Sequence, residues 1–249
     1  MGHPAWLAER PRQTTAKTNT GVLRCAQDVD RDWRVTGGYN RRTLGTRRDV
    51  SWGLAAGELR VLRGLKTPAR VQQFLDEMEY QYADTAWSPR RAMREGKGHC
   101  LEGALLAAAA LRVQGRPALL MDLEAVRDDD HVVALYRERG LWGGIAKSNY
   151  AGLRFRAPVY RTLRELALSY VEHYYNLRGE RTLRRYSVAV DLARLDAKGW
   201  MTSEEDVWCV PEALIGARHY DLFPDAVARE LPRLDKRSFE AGKWGRVGH

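Results

Sequence analysis

Residues 98–113 read GHCLEGALLAAAALRV, and the predicted architecture is built around them. Its interior is small and apolar, so a helix formed here is apolar on nearly every side and has to be buried on most of them. Gly115 and Pro117 follow the stretch and favour a helix end. The pattern predicts a central helix that begins near Cys100 and ends near Val113, with close approach to its neighbours.

Three short extended segments follow this helix, at 118–123, 131–136 and 141–147. The first two are separated by the acidic turn Asp128–Asp130 and the last two by a turn that contains Gly140. Loops this short join antiparallel neighbours, because a parallel crossover needs about a dozen residues or more. We therefore predict an α+β fold in which the Cys-bearing helix packs on an antiparallel sheet of at least three strands.

Flanking helices are predicted from apolar positions at helical spacing over 68–82, over 162–175 and from about 203 to 215. Residues 187–192 indicate one more strand. Two pairs resemble a capping arrangement at the start of the last helix: Ser203 with Asp206, and Thr202 with Glu205.

The composition excludes several classes of protein. The chain has 249 residues, of which 44% are hydrophobic and 29% charged, and no apolar run reaches the ~18 residues of a membrane span. The first thirty residues lack the apolar segment of a secretory signal. Three widely spaced cysteines without a CxxC pair argue against a disulfide scaffold and a structural zinc module. We expect a soluble cytoplasmic protein of bacterial type, without metal or cofactor.

The net charge of +9 lies mostly at the two ends of the chain. Residues 1–50 carry a net +5 and residues 229–249 a net +3, which leaves the middle nearly neutral. A nucleic-acid-binding domain concentrates its basic side chains on a folded face, so this distribution argues against nucleic acid as the main partner. It predicts a basic arm over 1–48, partly ordered or disordered, a folded domain with a helical extension over 49–228, and a basic tail over 229–249.

Cys100 is the candidate nucleophile. The Gly96–His99 approach is flexible and basic, and the unpaired N–H groups of a helix N-terminus favour a thiolate over a thiol. The alternative is that Cys100 is a small core residue that only packs.

His131 is the candidate base. It opens a predicted strand 31 residues after Cys100, and its imidazole can hold a thiolate as an ion pair and then protonate a leaving group. The alternative for His131 is a surface histidine in an acidic turn. No acidic residue lies between Gly140 and Ala157, so the predicted partner of the imidazole is Asn149. Ser148 is the alternative partner, depending on the register of the strand.

An oxyanion site needs the Cys100 backbone N–H and a second donor. Gln81 and Trp87 are the candidates for that donor, since both stand upstream of the helix and carry N–H groups. Their structural alternatives are a helix-surface position for Gln81 and a turn with Pro89 for Trp87.

These residues resemble the transglutaminase-like branch of the papain-type cysteine enzymes, over about residues 70–150. The resemblance is closest to a group of uncharacterised bacterial proteins. Four features carry the family resemblance: the helix opening 98–104, the small-residue helix, His131 on the second strand, and Leu141-Trp142-Gly143-Gly144 leading into the third. Asp128-Asp-Asp-His131 and Lys147-Ser-Asn149 are the features shared with the bacterial group.

The resemblance implies a Cys100–His131–Asn149 triad and a thioester acyl-enzyme, in a hydrolase or transferase that acts on a protein, a peptide or a small amide or ester. Most transglutaminase-like enzymes have Asp as the third member, whereas this chain has Asn149, as papain-type proteases do. A binding protein that kept the fold and lost the chemistry is the alternative. The substrate and the oligomeric state stay open.

Overall fold

The computed structural model describes residues 51–246 of the chain. Within these residues, four α-helices precede the main sheet along the chain, and the other four lie between or after its later strands. The strands are Glu79–Tyr80 (β1), Lys97–Gly98 (β2), Leu119–Ala125 (β3), His131–Glu138 (β4), Leu141–Ile145 (β5), Arg156–Tyr160 (β6), Leu183–Ser187 (β7), Val190–Asp191 (β8) and His219–Asp221 (β9). The α-helices are Ala56–Gly64 (α1), Pro68–Glu77 (α2), Pro89–Glu95 (α3), Cys100–Val113 (α4), Leu163–Leu168 (α5), Cys209–Ile215 (α6), Asp225–Glu230 (α7) and Lys236–Gly242 (α8).

The main sheet has seven antiparallel strands in the order β6-β5-β4-β3-β7-β9, with β8 paired to β3. The three strands predicted after the central helix are its consecutive neighbours β3, β4 and β5. A separate pair of short parallel strands, β1 and β2, lies before α4. The molecule is therefore a mixed structure of helices and an antiparallel sheet, in agreement with the predicted α+β class.

Helix α4 has the bounds that its sequence predicts, and it is buried from Leu101 to Leu111. His99 caps its first turn, because Nδ1 of the ring accepts a hydrogen bond from the Leu101 N–H at 3.3 Å. Gly103 lets the helix approach the end of β5 closely, since a Cβ there would lie 2.3 Å from Cβ of Lys147. Small side chains thus place the start of α4 directly against the sheet.

Strand β4 has two different faces. Val132, Ala134 and Tyr136 belong to the core that α4 builds on one side of the sheet. Since side chains alternate along a strand, His131 and Val133 lie on the other face. There α5 and the segment after it cover the sheet. This alternation directs the His131 side chain away from α4.

Two predicted helices are shorter than the sequence indicates. Helix α2 ends at Glu77 because Met78 turns extended, with ψ of 145°, and leads into the pairing of β1 with β2. The helix predicted over 162–175 is broken: α5 ends at Leu168, and a 3-10 helix, Val171–His173, follows.

The last predicted helix begins at Cys209 instead of about 203, and the predicted capping pairs are wrong. The Ser203 carbonyl accepts a hydrogen bond from Ser88, and the Ser203 hydroxyl donates to the Glu205 carbonyl. Val207 N–H donates to the Ala86 carbonyl at 2.7 Å. The bonds from Ser88 and to Ala86 hold 203–207 as an irregular segment against the loop before α3. The strand predicted over 187–192 is divided between the end of β7, β8 and the 3-10 helix Leu192–Lys198.

The segment after Pro224 forms α7 and α8, neither of which contains a buried residue. It is attached at a few points, such as the hydrogen bond from the Tyr175 hydroxyl to the Phe239 carbonyl at 3.1 Å. The predicted arm over 1–48 lies outside the described residues. In the described part of the chain, no helix has both the length and the apolar character to cross a bilayer.

Candidate functional site

The Cys100 thiol lies at the first residue of α4, against the backbone at the start of β4. Its Sγ is 4.0 Å from the Asp130 carbonyl oxygen and 3.9 Å from Nδ1 of His99. The Val132 N–H also donates a hydrogen bond to the sulfur. The thiol therefore contacts the main chain on both sides of His131, and among residues 51–246 the imidazole next to it is that of His99.

Burial raises the pKa of the Cys100 thiol to about 12. The carboxylates of Glu102, Asp129 and Asp122 act in the same direction, and only the Val132 N–H opposes them. The sequence favours a thiolate because of the helix N-terminus and the basic approach, but burial of the sulfur outweighs both. The His99 ring accepts the Leu101 N–H, on the second residue of the helix, and the nearby Lys97 lies over the Trp87 ring, 5.9 Å from its centre. The thiol is protonated at neutral pH.

His131 is buried, with 4% of its surface exposed, on the opposite face of β4. Its Nε2 lies 2.9 Å from the Leu153 carbonyl oxygen, so the ring carries a proton there and donates it. Its ring meets that of Tyr174 edge to face, with centroids 6.4 Å apart. Burial, with a smaller contribution from the charge of Arg156, lowers the pKa of His131 to about 4, although the hydrogen bond to Leu153 acts in the opposite direction. The imidazole is neutral at pH 7.

The three predicted triad residues are not joined by hydrogen bonds. The Leu153 carbonyl, and not the side chain of Asn149 or Ser148, accepts the imidazole N–H. Asn149 donates to the Tyr82 hydroxyl, and the Ser148 hydroxyl accepts the Tyr150 N–H at 3.0 Å. Within residues 51–246, no hydrogen bond links Cys100 to His131. The arrangement lacks the ion pair by which an imidazole activates a thiol.

The predicted oxyanion donors belong to a network around Glu102. Gln81 Nε2 donates to the Thr85 hydroxyl at 2.9 Å, and that hydroxyl donates to Glu102 Oε1 at 2.8 Å. The Trp87 backbone N–H donates to the same oxygen at 3.1 Å. The indole Nε1 of Trp87 is buried and has no hydrogen-bond partner within the described residues.

Glu102 itself was not predicted as a site residue. It is fully buried, and its Oε2 accepts the His99 N–H at 3.0 Å, which closes a reciprocal cap with the His99 side chain. A glutamate three residues after the cap is the signal that sequence reading could have used. Gly98 leaves room for it, since a Cβ there would lie 2.8 Å from Cβ of Glu102. Glu102 therefore fastens the loop before α4 to the helix.

Lys147 was also missed, and it fills the place after β5 where a triad member was expected. Its buried ammonium donates to the Leu75 carbonyl at 2.8 Å and to the Met78 carbonyl at 2.7 Å. These oxygens belong to the end of α2, where carbonyls have no partner inside the helix. Burial lowers the pKa of Lys147 to about 8. The end of β5 is thus turned toward α2 and away from His131.

A second histidine, His219, is paired with a carboxylate in the sheet. Its Nε2 lies 3.0 Å from Asp122 Oδ2, and its Nδ1 lies 2.9 Å from the Ala217 carbonyl oxygen. Both side chains are at least 95% buried. The pair joins β3 to β9, and its ring nitrogens are fully occupied, which makes it a structural contact between strands.

No protein-family model matches the chain, and no curated protein shows significant sequence similarity to it. Among residues 51–246, no group of three or more His, Cys, Asp or Glu side chains is placed to hold a metal ion. The function is therefore inferred from the side chains of the fold alone.

Proposed function

We propose that this chain is a transglutaminase-like domain that acts by binding and not by acyl transfer. Two features support this fold family: a helix of small residues that starts at Cys100, and the three antiparallel strands β3, β4 and β5 that follow it. The departure from a catalytic member lies in where the side chains of the expected triad point.

The observation that carries the proposal is the orientation of His131. Its side chain lies on the face of β4 opposite α4 and is hydrogen-bonded to Leu153, while Cys100 contacts the backbone on the other side. Acyl transfer by cysteine requires a thiolate. With the pKa of Cys100 at about 12, roughly one thiol in 10⁵ is ionised at pH 7. Cys100 is therefore not ionised as a nucleophile, and His131 is not charged as a general acid.

Cysteine-dependent acyl transfer, by hydrolysis or by transfer to a second acceptor, is the competing proposal. One contact favours it, the 3.9 Å separation between Cys100 Sγ and Nδ1 of His99. That nitrogen, however, accepts the Leu101 N–H, and Nε2 of the same ring bonds to the Thr85 carbonyl at 3.0 Å. The ring has no lone pair left for the thiol proton, so His99 does not serve as the base.

The pH dependence of alkylation tests the choice between binding and catalysis. Iodoacetamide labelling of Cys100, followed by peptide mass mapping, should give a rate that still rises above pH 9 and has the same midpoint in His131→Gln. Cys209 in the same molecule reports general reactivity. A midpoint below pH 8 for Cys100 that moves upward in His131→Gln would establish a thiolate–imidazolium pair and overturn the binding proposal.

A further inference from the structure

An open cavity of about 500 Å³ lies beside the end of β3, where the turn at 126–127 meets residues 180–184 and helix α7. Five arginines line it: Arg127, Arg181, Arg184, Arg229 and Arg233. Only two carboxylates, Glu180 and Asp225, share the lining with them. Arg229 and Arg233 belong to the predicted basic tail, so part of the positive charge of the tail lines this cavity.

Most of the cationic side chains in the cavity are already paired. Glu180 is contacted by Arg127 at 3.3 Å and by Arg233 at 3.9 Å. Arg181 is bound to Glu172 at 2.8 Å. That leaves Arg184 and Arg229, which form no ion pair with any residue of the described range 51–246. Asp225 acts on Arg184 only at longer range.

The guanidinium of Arg184 is fixed in an orientation that suits the binding of an anion. Its Nη1 donates to the carbonyls of Arg181 at 3.0 Å and Leu183 at 2.8 Å, which fixes the half-buried guanidinium against the backbone. Its Nε and Nη2 make no hydrogen bond to the described chain, and these two donors form the edge that binds an oxyanion side-on. Burial and the charge of Arg127 lower the pKa of Arg184, so an anion bound there would relieve an unfavourable environment of the guanidinium.

We propose that this cavity binds a small phosphate-bearing molecule, with the Arg184 fork and the Arg229 guanidinium as its ligands. Guanidinium groups approaching from different walls suit a tetrahedral anion with several oxygens better than a planar carboxylate. The volume falls in the range of small-molecule sites, roughly 300–1,000 Å³. Glu180 and Asp225 on the walls disfavour a long polyanion such as nucleic acid.

A phosphate-bearing molecule in this cavity would be the ligand of the binding function proposed above, and its biological role rests on that function. The two fail separately, because alkylation of Cys100 reports on the chemistry of α4, and titration of the cavity reports only on the arginines. A reactive Cys100 together with phosphate binding would leave the cavity assignment in place and turn it into a site on an enzyme.

The test is calorimetric titration of the full chain with inorganic pyrophosphate, in 150 mM NaCl. Sodium sulfate at matched ionic strength controls for screening. Arms with a nucleoside diphosphate and a sugar phosphate distinguish the sources of the phosphate group. We expect one site per chain, with affinity reduced about tenfold or more in Arg184→Gln and in Arg229→Gln, since each loses a charge-assisted hydrogen bond.

Arg137→Gln is the matched control, because it removes the same charge at the β4–β5 turn, where Arg137 bonds to the Gly140 carbonyl and lies over the Trp142 ring, away from the cavity lining. Its affinity for pyrophosphate should equal that of the wild type. Should Arg184→Gln unfold, Arg229→Gln still decides the matter, since Arg229 is exposed and its side chain makes no hydrogen bond within the described residues. Equal loss in all three variants, no binding at millimolar pyrophosphate, or tighter binding of duplex DNA at the same arginines would each overturn the proposal.

Discussion

The imidazole of His131 donates a hydrogen bond to the carbonyl oxygen of Leu153, with 2.9 Å between Nε2 and the oxygen. This bond ties the start of β4 to the 3-10 helix Ala151–Leu153 that precedes β6. A histidine fixed in this way stabilises the fold as long as it stays neutral. The contact therefore gives the residue a structural role with a measurable pH dependence.

Stability should fall as the pH drops through the range set by His131. Its pKa is about 4 in the fold and 6.5 when exposed, so the unfolded chain binds more protons between those values. Between pH 7.5 and 5 this linkage amounts to about 2 kcal/mol. Urea unfolding at the two pH values should show that loss in the wild type and a smaller one in His131→Gln. Equal losses would mean that other groups carry the acid sensitivity.

Lys147 should make the stability depend on pH in the alkaline range, by the same linkage between pKa and folding. Its pKa is about 8 in the fold against 10.5 in the unfolded chain, so the fold favours the neutral amine and gains stability as the pH rises. Relative to Lys147→Met, the wild type should gain about 2 kcal/mol between pH 7.5 and 9.5. Denaturant titrations of both proteins at the two pH values measure this difference. If the difference in unfolding free energy between the two proteins is the same at both pH values, the Lys147 ammonium is exposed to solvent and not buried.

Two glycines in helices should respond in opposite directions to substitution by alanine. Gly103→Ala places a Cβ 2.3 Å from Cβ of Lys147 and forces α4 off the sheet, which should cost roughly 1–3 kcal/mol. Gly57 in α1 has no atom within 4 Å of such a Cβ, so Gly57→Ala should stabilise by up to about 1 kcal/mol. Thermal unfolding of both variants is the measurement. A neutral Gly103→Ala would show that α4 is not packed closely at this point.

Both carboxylate oxygens of Glu102 should contribute to the free energy of unfolding, because each accepts hydrogen bonds from the loop before α4. Glu102→Ala leaves the Trp87 and His99 N–H groups without their acceptor in the core, which should destabilise by about 3 kcal/mol. Glu102→Gln keeps one accepting oxygen and should cost less. The free energies of unfolding from urea titrations compare the two, with Glu95→Gln on the surface of α3 as control. Equal costs for Gln and Ala would mean that the carboxylate charge, and not its hydrogen bonds, is what the loop requires.

The parts of the fold that follow from local pattern could be predicted, and those that depend on a partner could not. The bounds of α4 agree with the sequence because small apolar residues and the Gly115–Pro117 stop act within the segment. The helix predicted from 203 fails because Val207 is bonded to the Ala86 carbonyl, more than a hundred residues away. The sequence pattern within 203–215 carries no information about a hydrogen bond to a residue so far away in the chain.

The site depends on a smaller detail, a register of one residue. Cys100 contacts the backbone beside His131, so the two residues are neighbours along the sheet although their side chains do not meet. Which face of β4 the imidazole takes is decided by the pairing of Leu123 with His131 and by the core on each side. A shift of one residue would exchange His131 with Val132 and direct the ring to α4. Sequence alone carries no record of that choice.

The effect of denaturant on Cys100 reactivity separates a buried thiol from an activated one. In the fold, its pKa of about 12 and its backbone contacts suppress alkylation, whereas an exposed cysteine has a pKa near 8.5. Iodoacetamide labelling at pH 8 should therefore accelerate by up to about a thousandfold, which is the order of the gain in thiolate, when urea is raised through the unfolding transition. Peptide mass mapping follows Cys100 and, as an internal reference, the half-buried Cys209. A catalytic thiolate would behave in reverse, since unfolding removes the groups that ionise it, so a rate that drops on adding urea would restore Cys100 as a nucleophile.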